Sequence, residues 1–286
     1  MAVIVGYDGS DVAKRAVAFA AQEAQIRRVP LQVVTAWDQP MVDLGMGAGS
    51  VVDPDLSQVI ENRAGEVAAE GAEAVHLIGV EVTAAVVSGP AAAALVELSH
   101  SADLVVVGSH RRQVMADLLL GGVSRQVATH AACPVVVVRR AEQMHRRLAV
   151  GIDGSQGARR ALDFAFDEAS RRGWSLRVVH AWDVAVIGFD VDASTYPRGG
   201  ILDDVRDVET RLSAEVLAGH TAQYPDVDVQ VRVERGSAAR VLVDSAVDCD
   251  LLVCGSRGRG GFSALLLGSV SHKVLHHAPC SVAIVP

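Results

Sequence analysis

Positive charge is scarce in this sequence, and lysine is almost absent. The 286 residues include two lysines, Lys14 and Lys273, and the 26 lysines and arginines together face 34 aspartates and glutamates, which leaves a formal net charge of -8. Binding to a nucleic-acid backbone needs a basic face that displaces counterions, so nucleic acid is not the expected partner. The sequence also lacks a G-x4-G-K-[ST] segment, which argues against a Walker-type nucleoside triphosphatase.

Long hydrophobic runs and paired cysteines are also missing. Residues 82–96 form the longest uncharged stretch, but a serine, a glycine and a proline interrupt it, and it is shorter than the roughly 20 apolar residues that a membrane helix needs. No basic leader precedes Asp8, so we expect a cytoplasmic protein without a membrane span. The four cysteines form no C-x-x-C pair and lack the histidine spacing of a zinc site, which predicts buried, reduced thiols and no bound metal.

The sequence contains one pattern twice. Val-Gly-Tyr-Asp-Gly-Ser at residues 5–10 returns as Val-Gly-Ile-Asp-Gly-Ser at residues 150–155, and Ala-Trp-Asp at residues 36–38 returns at residues 181–183, both with an offset of 145 residues. Further along, the offset becomes 147. It pairs Asp103, Gly108, Gly121, Ser124 and Cys133 with Asp250, Gly255, Gly268, Ser271 and Cys280.

Within each copy, short apolar segments alternate with helical patterns. In the first copy the patterns predict strands over residues 3–7, 31–37, 81–87, 104–107 and 135–138. They predict helices over residues 12–28, 55–76, 90–100 and 122–131. Segment 104–107 is apolar at every position, as expected when helices cover both faces of a parallel sheet. We therefore predict an α/β protein of two doubly wound, Rossmann-like domains, each with a five-stranded parallel sheet in the order 3-2-1-4-5. The domains span residues 1–139 and 147–286, with a polar linker at 140–146.

In such sheets, ligands bind beyond the carboxyl ends of the strands, where the direction of winding reverses. Asp8 and Asp153 follow the first strands of their copies, and Gly108 and Gly255 follow the fourth strands. The predicted strand order places the first and fourth strands side by side. These residues therefore predict one ligand site in each copy.

The segment after Gly255 reads G-x2-G-x9-G-S, with Gly258, Gly268 and Ser269 as its later members. Glycines permit a positive φ and close approach of the backbone, while a helix start offers unpaired N–H groups, a hydroxyl and the positive end of the helix dipole. This combination predicts a phosphate-binding loop. Considered alone, a glycine-rich segment is equally a flexible connection, and its position beside the first strand favours the binding role.

Taken together, the motifs resemble universal stress protein domains, and the whole chain resembles the tandem form found in actinobacteria. The resemblance is carried by V-G-x-D-G-S, by Ala-Trp at the end of the second strand, by V-x-x-G at residues 86–89 and 233–236, and by the loop after the fourth strand. In the ATP-binding branch of that family, the first-strand aspartate and the end of the second strand surround adenosine, and the loop holds the phosphates. For the second copy the resemblance implies adenosine contacts from Asp153 and Ala181. It implies ribose and phosphate contacts from Gly255, Gly258, Gly268, Ser269, Val270 and Ser271.

The loop of the first copy departs from the family pattern. Arg111 stands at the position of Gly258, and Gly122 stands at the position of Ser269, although the length of the loop is unchanged. An arginine there can donate charge-assisted hydrogen bonds to phosphate, or its side chain can fill the phosphate space. Both outcomes stay open at this point. The corresponding binding residues of the first copy are Asp8, Ala36, Gly108, Arg111, Gly121, Gly122, Val123 and Ser124.

The resemblance implies an ATP-binding regulatory module in stress response or growth arrest, with ATP bound either alone or with Mg²⁺. No Ser/His or Cys/His arrangement accompanies Asp8 or Asp153, so we expect binding rather than catalysis. A slow ATPase and a nucleotide-free scaffold, the latter above all through the first copy, are the alternatives. Trp37 and Trp182 can stack on adenine, but as residues at strand ends they are expected to be packing anchors.

Tandem copies resemble a covalently joined dimer. In this family the last strands pair across the dimer interface, and here they correspond to residues 135–138 and 282–285. The resemblance therefore implies an internal pseudo-dimer of the two domains, which would protect these apolar strand edges, and it leaves a homodimer of the whole chain open.

Overall fold

Both halves of the chain alternate strands and helices in the order that the sequence predicts. The computed structural model describes residues 1–39, 41–43, 50–75, 79–109, 121–139, 144–183, 201–259 and 266–286. The fold divides into two units, Met1–Arg140 and Ala141–Pro286.

The first unit contains seven described strands and four described helices. Its strands are β1 (Ala2–Gly6), β2 (Leu31–Trp37), β3 (Met41–Asp43), β4 (Ser50–Val52), β5 (Val82–Ser88), β6 (Ala102–Gly108) and β7 (Val135–Val138). Its helices are α1 (Asp11–Arg27), α2 (Pro54–Glu73), α3 (Ala91–Leu98) and α4 (Gly122–His130), and a 3-10 turn follows α3 at Ser99–Ser101.

The second unit repeats this alternation. Its described strands are β8 (Arg147–Ile152), β9 (Ser175–Trp182), β10 (Val229–Arg235), β11 (Leu251–Gly255) and β12 (Ser281–Val285). Its described helices are α5 (Gln156–Arg172), α6 (Ile201–Gln223), α7 (Ala238–Ser245) and α8 (Ser269–His277). None of the described helices in either unit is both long and apolar enough to cross a membrane.

Each unit builds a five-stranded parallel sheet. In the first unit the neighbours run β5-β2-β1-β6-β7, and in the second they run β10-β9-β8-β11-β12. Numbered within each copy, both orders are 3-2-1-4-5, so the predicted topology is confirmed. The first and fourth strands are adjacent, which places the point of reversal between β1 and β6 and between β8 and β11.

A short hairpin in the first unit was not predicted from the sequence. Strands β3 and β4 pair antiparallel, with Met41 opposite Val52 and Asp43 opposite Ser50. The sequence predicts a glycine-rich loop after residue 37, because glycines are frequent there and are typical of loops. Strands this short give too few alternating positions for a period of two to be recognised.

The cores consist of the apolar strands that the sequence indicates. All four valines of β7 are at most 5% exposed, and β11 and β12 are buried over nearly their whole length. Burial of a valine side chain contributes about 1.5–2 kcal/mol, so a strand of only four residues is held mainly by its hydrophobic contacts. The all-apolar segments are thus explained by helices on both faces of each sheet.

The repeated Asp-Gly-Ser forms a turn and starts a helix. In the second unit, Ser155 N donates to Asp153 Oδ1 at 2.9 Å, and Ser155 Oγ accepts from Ala158 N at 3.1 Å, which caps α5. Gly154 between them has φ +78°, a conformation that favours glycine. Residues 8–13 of the first unit make the same two bonds at 3.1 and 3.2 Å. The motif therefore fixes the aspartate at the carboxyl end of the first strand.

All four cysteines are buried, as predicted, and none of them takes part in a disulfide. Burial raises the pKa of the Cys254 thiol to about 12 and the pKa values of the Cys133 and Cys249 thiols to about 11. Thiols of this kind are protonated and unreactive at neutral pH. Within the described residues, no group of three or more histidine, cysteine or acidic side chains is arranged to hold a metal ion.

Close packing at Gly255 makes a first testable prediction about stability. A Cβ at this position would lie 2.6 Å from the carbonyl carbon of Gly157 and 2.7 Å from its oxygen, in the first turn of α5. Because the obstacle is backbone, Gly255→Ala should destabilise the second unit by about 1–3 kcal/mol in urea denaturation. Gly219→Ala is the control, since Gly219 lies on α6 with open space around it and should gain about 0.5–1 kcal/mol. Equal effects of the two variants would contradict this account.

Candidate functional site

The first unit has a cleft of about 750 Å³ at the carboxyl edge of its sheet. This volume lies within the range of about 300–1,000 Å³ that is usual for small-molecule sites. It includes Asp8, which follows β1, and the start of α4, the helix that follows β6 along the chain. The lining residues are Asp8, Thr35, Ala36, Trp37, Asp38, Val59, Ile60, Arg63, Ala64, Val67, Gly89, Pro90, Ala91, Ala92, Gly122, Val123 and Gln126.

The start of α4 forms one wall of this cleft. Gly121 is the residue before the helix, and no side chain caps the helix at that point. The next two residues, Gly122 and Val123, are exposed and line the cleft, and Gln126 follows one turn later. An uncapped helix start presents backbone N–H donors and the positive end of the helix dipole. This wall is therefore suited to an anionic group such as a phosphate.

Helix α2 forms the opposite wall, with a mixed apolar and basic face. Val59, Arg63 and Val67 are spaced by four residues and lie on one face, with Ile60 and Ala64 beside them. Arg63 is exposed and pairs with Glu66 at 2.6 Å. The apolar members of this wall suit a flat, weakly polar group such as a nucleobase. The residues of α2 were not among the predicted site residues, because their i, i+4, i+8 spacing indicates a helix face but not what that face contacts.

The structure brings together most of the residues predicted for the first copy. Asp8, Ala36, Gly122 and Val123 line the cleft. Three others, Gly108, Gly121 and Ser124, lie directly behind its α4 wall: Gly121 N donates to the carbonyl of Ser109 at 2.8 Å, and Ser124 Oγ donates to the carbonyl of Gly108 at 2.7 Å. Arg111 lies outside the described residues.

In the second unit, the loop after β11 contacts the first-strand aspartate directly. Arg259 N donates to Asp153 Oδ2 at 3.0 Å, while Asp153 Oδ1 accepts from Ser155 N. A Cβ on Gly258 would lie 2.5 Å from Asp153 Oδ2. The Asp153 carboxylate therefore packs against the backbone here, and a side chain at residue 258 would require it to move. Asp153, Gly258 and Arg259 thus lie together at the carboxyl edge of the second sheet.

The loop glycines differ from expectation in one physical respect. Positive φ angles occur at Gly9, Gly154 and Gly89 but not at Gly258 or Gly268. A Cβ on Gly268 would come no closer than 3.4 Å to its neighbours, which is ordinary contact. Among the loop glycines that the structure describes, Gly258 allows a close approach of Asp153, while positive φ angles occur at the turns after the first and third strands.

Helix α8 starts in the same way as α4. Gly268 precedes the helix without a side-chain cap, and its N–H donates to the carbonyl of Ser256 at 2.7 Å. Ser269 and Val270 form the first turn, with Ser269 exposed. Ser271 is buried, and its Oγ lies 2.8 Å from the carbonyl oxygen of Ser256 and 2.9 Å from that of Gly268. Its hydroxyl therefore fastens the loop to the helix, and its predicted contact with a ligand stays a prediction.

The end of β9 holds the remaining predicted residue, Ala181. It is half-buried and follows His180, whose register partner in β8 is Ile152. Trp182 comes next, and like Trp37 at the same position of the first unit it is 9% exposed. Both indole rings are largely buried, and because Trp37 also lines the cleft, the packing role stays a prediction.

Comparison with known proteins was made for sequence and for structure. The family model of the Universal stress protein family matches residues 1–139 and again residues 144–286. A universal stress protein of Mycobacterium tuberculosis strain H37Rv is 37% identical over 295 residues, which cover 99% of this chain and 96% of the relative. A universal stress protein of Mycolicibacterium smegmatis is 35% identical over 298 residues, with coverage of 99% and 96%.

Solved structures show the same fold. A universal stress protein from Archaeoglobus fulgidus superimposes with a TM-score of 0.70 at 20% identity, covering 99% of this chain and 97% of that one. A functionally unknown protein from Pseudomonas aeruginosa superimposes with a TM-score of 0.62 at 16% identity, covering 99% and 92%. At these identities the likeness shows the fold alone, and a function can be proposed only from the geometry of the site.

Proposed function

The chain belongs to the universal stress protein family, and from this premise we propose that it is a cytoplasmic, ATP-binding regulatory module that acts in stress response or growth arrest. Each unit binds one nucleotide at the carboxyl edge of its sheet, with ATP as the ligand, alone or with Mg²⁺. The observation that supports this most directly is the cleft of the first unit, which joins Asp8 to the uncapped start of α4.

The two walls of that cleft fit the two ends of a nucleotide. The α4 wall offers N–H donors and a positive dipole end to the phosphates, while the α2 wall offers Val59, Ile60 and Val67 to the base. Asp8 lies between them and is exposed, so its carboxylate can accept hydrogen bonds from ribose hydroxyls. Arg63 adds a cation on the α2 side. The first copy therefore has the features of a working site despite Arg111 in its loop.

The second unit supports a binding role rather than turnover. Both carboxylate oxygens of Asp153 already accept backbone N–H bonds, from Ser155 and Arg259. A carboxylate committed in this way positions a ligand better than it removes a proton. A ligand that bonds Asp153 Oδ2 shares this oxygen with the Arg259 N–H, so the ligand and the loop meet at one carboxylate, which is a route from nucleotide binding to a changed surface.

The test is to place a negative charge at the start of each proposed phosphate-binding helix. A Cβ on Gly122 meets open space, and Ser269 is exposed, so both positions accept a larger side chain. Aspartate at this position favours the helix itself, because it complements the dipole. We therefore expect Gly122→Asp and Ser269→Asp to keep the thermal stability of the protein while weakening ATP binding at the altered site at least about tenfold, in titration calorimetry.

Asparagine at the same positions is the matched control, since it has nearly the same shape without the charge. Gly122→Asn and Ser269→Asn should bind close to normally, and heat-released nucleotide from the unmodified protein should approach two per chain. Loss from one site in each aspartate variant would support two separate sites. Protein that carries no nucleotide and gives no binding signal with ATP would overturn the proposal.

A further inference from the structure

His180 has hydrogen-bond acceptors at both ring nitrogens. Nδ1 lies 3.0 Å from the carbonyl oxygen of Ile152 in β8, and Nε2 lies 2.8 Å from Glu209 Oε2 in α6. The histidine side chain is 9% exposed and that of Glu209 is 26% exposed. The two contacts link β8 to α6 through one imidazole ring.

The first unit has a different residue at the position of His180. Thr35 matches His180 by the 145-residue offset, and its Oγ1 donates to the carbonyl of Tyr7 at 3.0 Å, just as His180 bonds Ile152. Glu209 on α6 adds a carboxylate at this place in the second unit, since its Oε2 lies 2.8 Å from His180 Nε2.

The correspondence indicates where His180 and Glu209 lie in the second unit. Thr35 lines the cleft of the first unit, at the carboxyl edge of its sheet. His180 holds the matching place and lies 2.8 Å from Glu209, so both side chains lie at the carboxyl edge of the second sheet. The first unit has an uncharged threonine at this place, and the second unit has a histidine beside a carboxylate.

We propose that Glu209, positioned by His180, selects the nucleobase at the second site, so that this site takes a base with an exocyclic amine and disfavours one with a carbonyl at that place. This inference rests on the proposed function and names the specificity of its second site. Glu209 Oε2 is held by His180, which leaves the carboxylate with acceptor capacity for an amine N–H. A carbonyl facing the same carboxylate would leave two acceptors opposed, and such a mismatch at a polar site lowers affinity far more than a lost apolar contact.

The experiment compares ATP with inosine triphosphate, which has a carbonyl in place of the amine. Titration calorimetry uses the full chain with Asp8→Ala, which weakens the first site so that the second is measured. We expect ATP to bind at least about tenfold more tightly than inosine triphosphate. Glu209→Gln should bring the two affinities within about threefold, because an amide can turn either its oxygen or its NH₂ group toward the base.

Two further variants separate recognition from packing. His180→Thr places the residue of the first unit at this position, and it should also reduce the preference for ATP because Glu209 loses its anchor. Thr210→Ala, next to Glu209 on exposed α6 surface, should leave the preference unchanged. If the contact between His180 and Glu209 only stabilised the fold, these substitutions would lower the affinities for both nucleotides together and keep their ratio.

The outcomes distinguish the two proposals. A preference for ATP that survives Glu209→Gln overturns the assignment of Glu209 and leaves nucleotide binding intact. Equal affinities of the parent protein for the two nucleotides overturn it as well. Absence of binding by either nucleotide overturns the proposed function itself and this inference with it.

Discussion

Replacing Asp248 with alanine is expected to lower the free energy of unfolding of the second unit by about 3 kcal/mol. The reason is Arg177 in β9, whose side chain is 3% exposed while that of Asp248 is 47% exposed. Arg177 Nη2 donates to Asp248 Oδ2 at 3.0 Å, Nη1 bonds the same carboxylate, and Nη1 also donates to the carbonyl of Ser245 at 2.7 Å. Without Asp248, the buried guanidinium loses its counter-ion.

Thermal unfolding measures this effect, with an expected decrease in Tm of about 6–12 °C. Asp244→Ala is the matched control, because Asp244 pairs with Arg240 at 3.5 Å on the surface, with side chains 66% and 84% exposed. An exposed pair contributes at most about 1 kcal/mol, so this variant should change little. Combining Asp248→Ala with Arg177→Met should recover part of the loss, since it removes the buried charge. If Asp248→Ala alone lowered the free energy of unfolding by less than about 0.5 kcal/mol, the account would be wrong, because water would then replace Asp248 as the partner of the Arg177 guanidinium.

The same pair predicts how stability depends on pH. Hydrogen bonding to Arg177 holds the pKa of Asp248 well below its usual range. A carboxyl whose pKa is lower in the folded state stabilises the protein at pH values above its unfolded-state pKa of about 3.9, and this contribution is lost as the pH falls further towards the folded-state value. The difference in Tm between the unmodified protein and Asp248→Ala should therefore be constant near neutral pH and shrink below about pH 4. Because Asp248 is half-exposed, solvent screening limits the size of this pH-dependent difference in Tm.

Asp153→Ala is expected to weaken ATP binding at the second site by about 10- to 100-fold. A hydrogen bond to a charged group contributes about 1.5–3 kcal/mol, and alanine removes both the proposed ribose acceptor and the group that holds Arg259 N at 3.0 Å. The variant also loses the turn bond from Ser155 N at 2.9 Å, which should cost about 1 kcal/mol of stability. Binding is measured by titration calorimetry in the Asp8→Ala background, well below the melting temperature of each variant.

Asparagine at residue 153 separates these contributions. Asp153→Asn keeps an oxygen that can accept from Ser155 N, but its NH₂ group cannot accept from Arg259 N. We expect its affinity to lie between those of the unmodified protein and Asp153→Ala, with the turn and the melting temperature preserved. Asp244→Ala, on the surface of the same unit, should bind ATP normally. Unchanged affinity in Asp153→Ala would remove Asp153 from the binding site and leave the loop contacts as purely structural.

Much of the fold could be predicted because its signals are local. Segment 135–138 is a strand with the predicted bounds, and α1 begins one residue before the predicted start at Val12. A short segment that is apolar at every position indicates a buried strand, and a long segment with a helical period indicates a helix. The hairpin of β3 and β4 was missed because three residues give no usable period.

The candidate site could be predicted only in part. Asp8 and Asp153 were found because a repeated motif ends both first strands, and topology then fixed their position at the carboxyl edge. The α2 wall with Arg63 was missed, because helical spacing shows that a face exists but not what it faces. A close approach at Gly258 was predicted for a bound anion, and the structure places the Asp153 carboxylate there, with Oδ2 2.5 Å from the position of a Cβ.

The sequence by itself determined the repeat, the two five-stranded sheets and the position of one aspartate per copy, because these follow from period, apolar content and the rules of parallel topology. The tertiary structure decided which side chains meet. Arg177 and Asp248 are 71 residues apart in sequence, and His180 and Glu209 are 29 apart. Pairs of this kind depend on distances and directions that only the folded chain sets, since a sequence records the chemistry of each group without the geometry that brings two of them together.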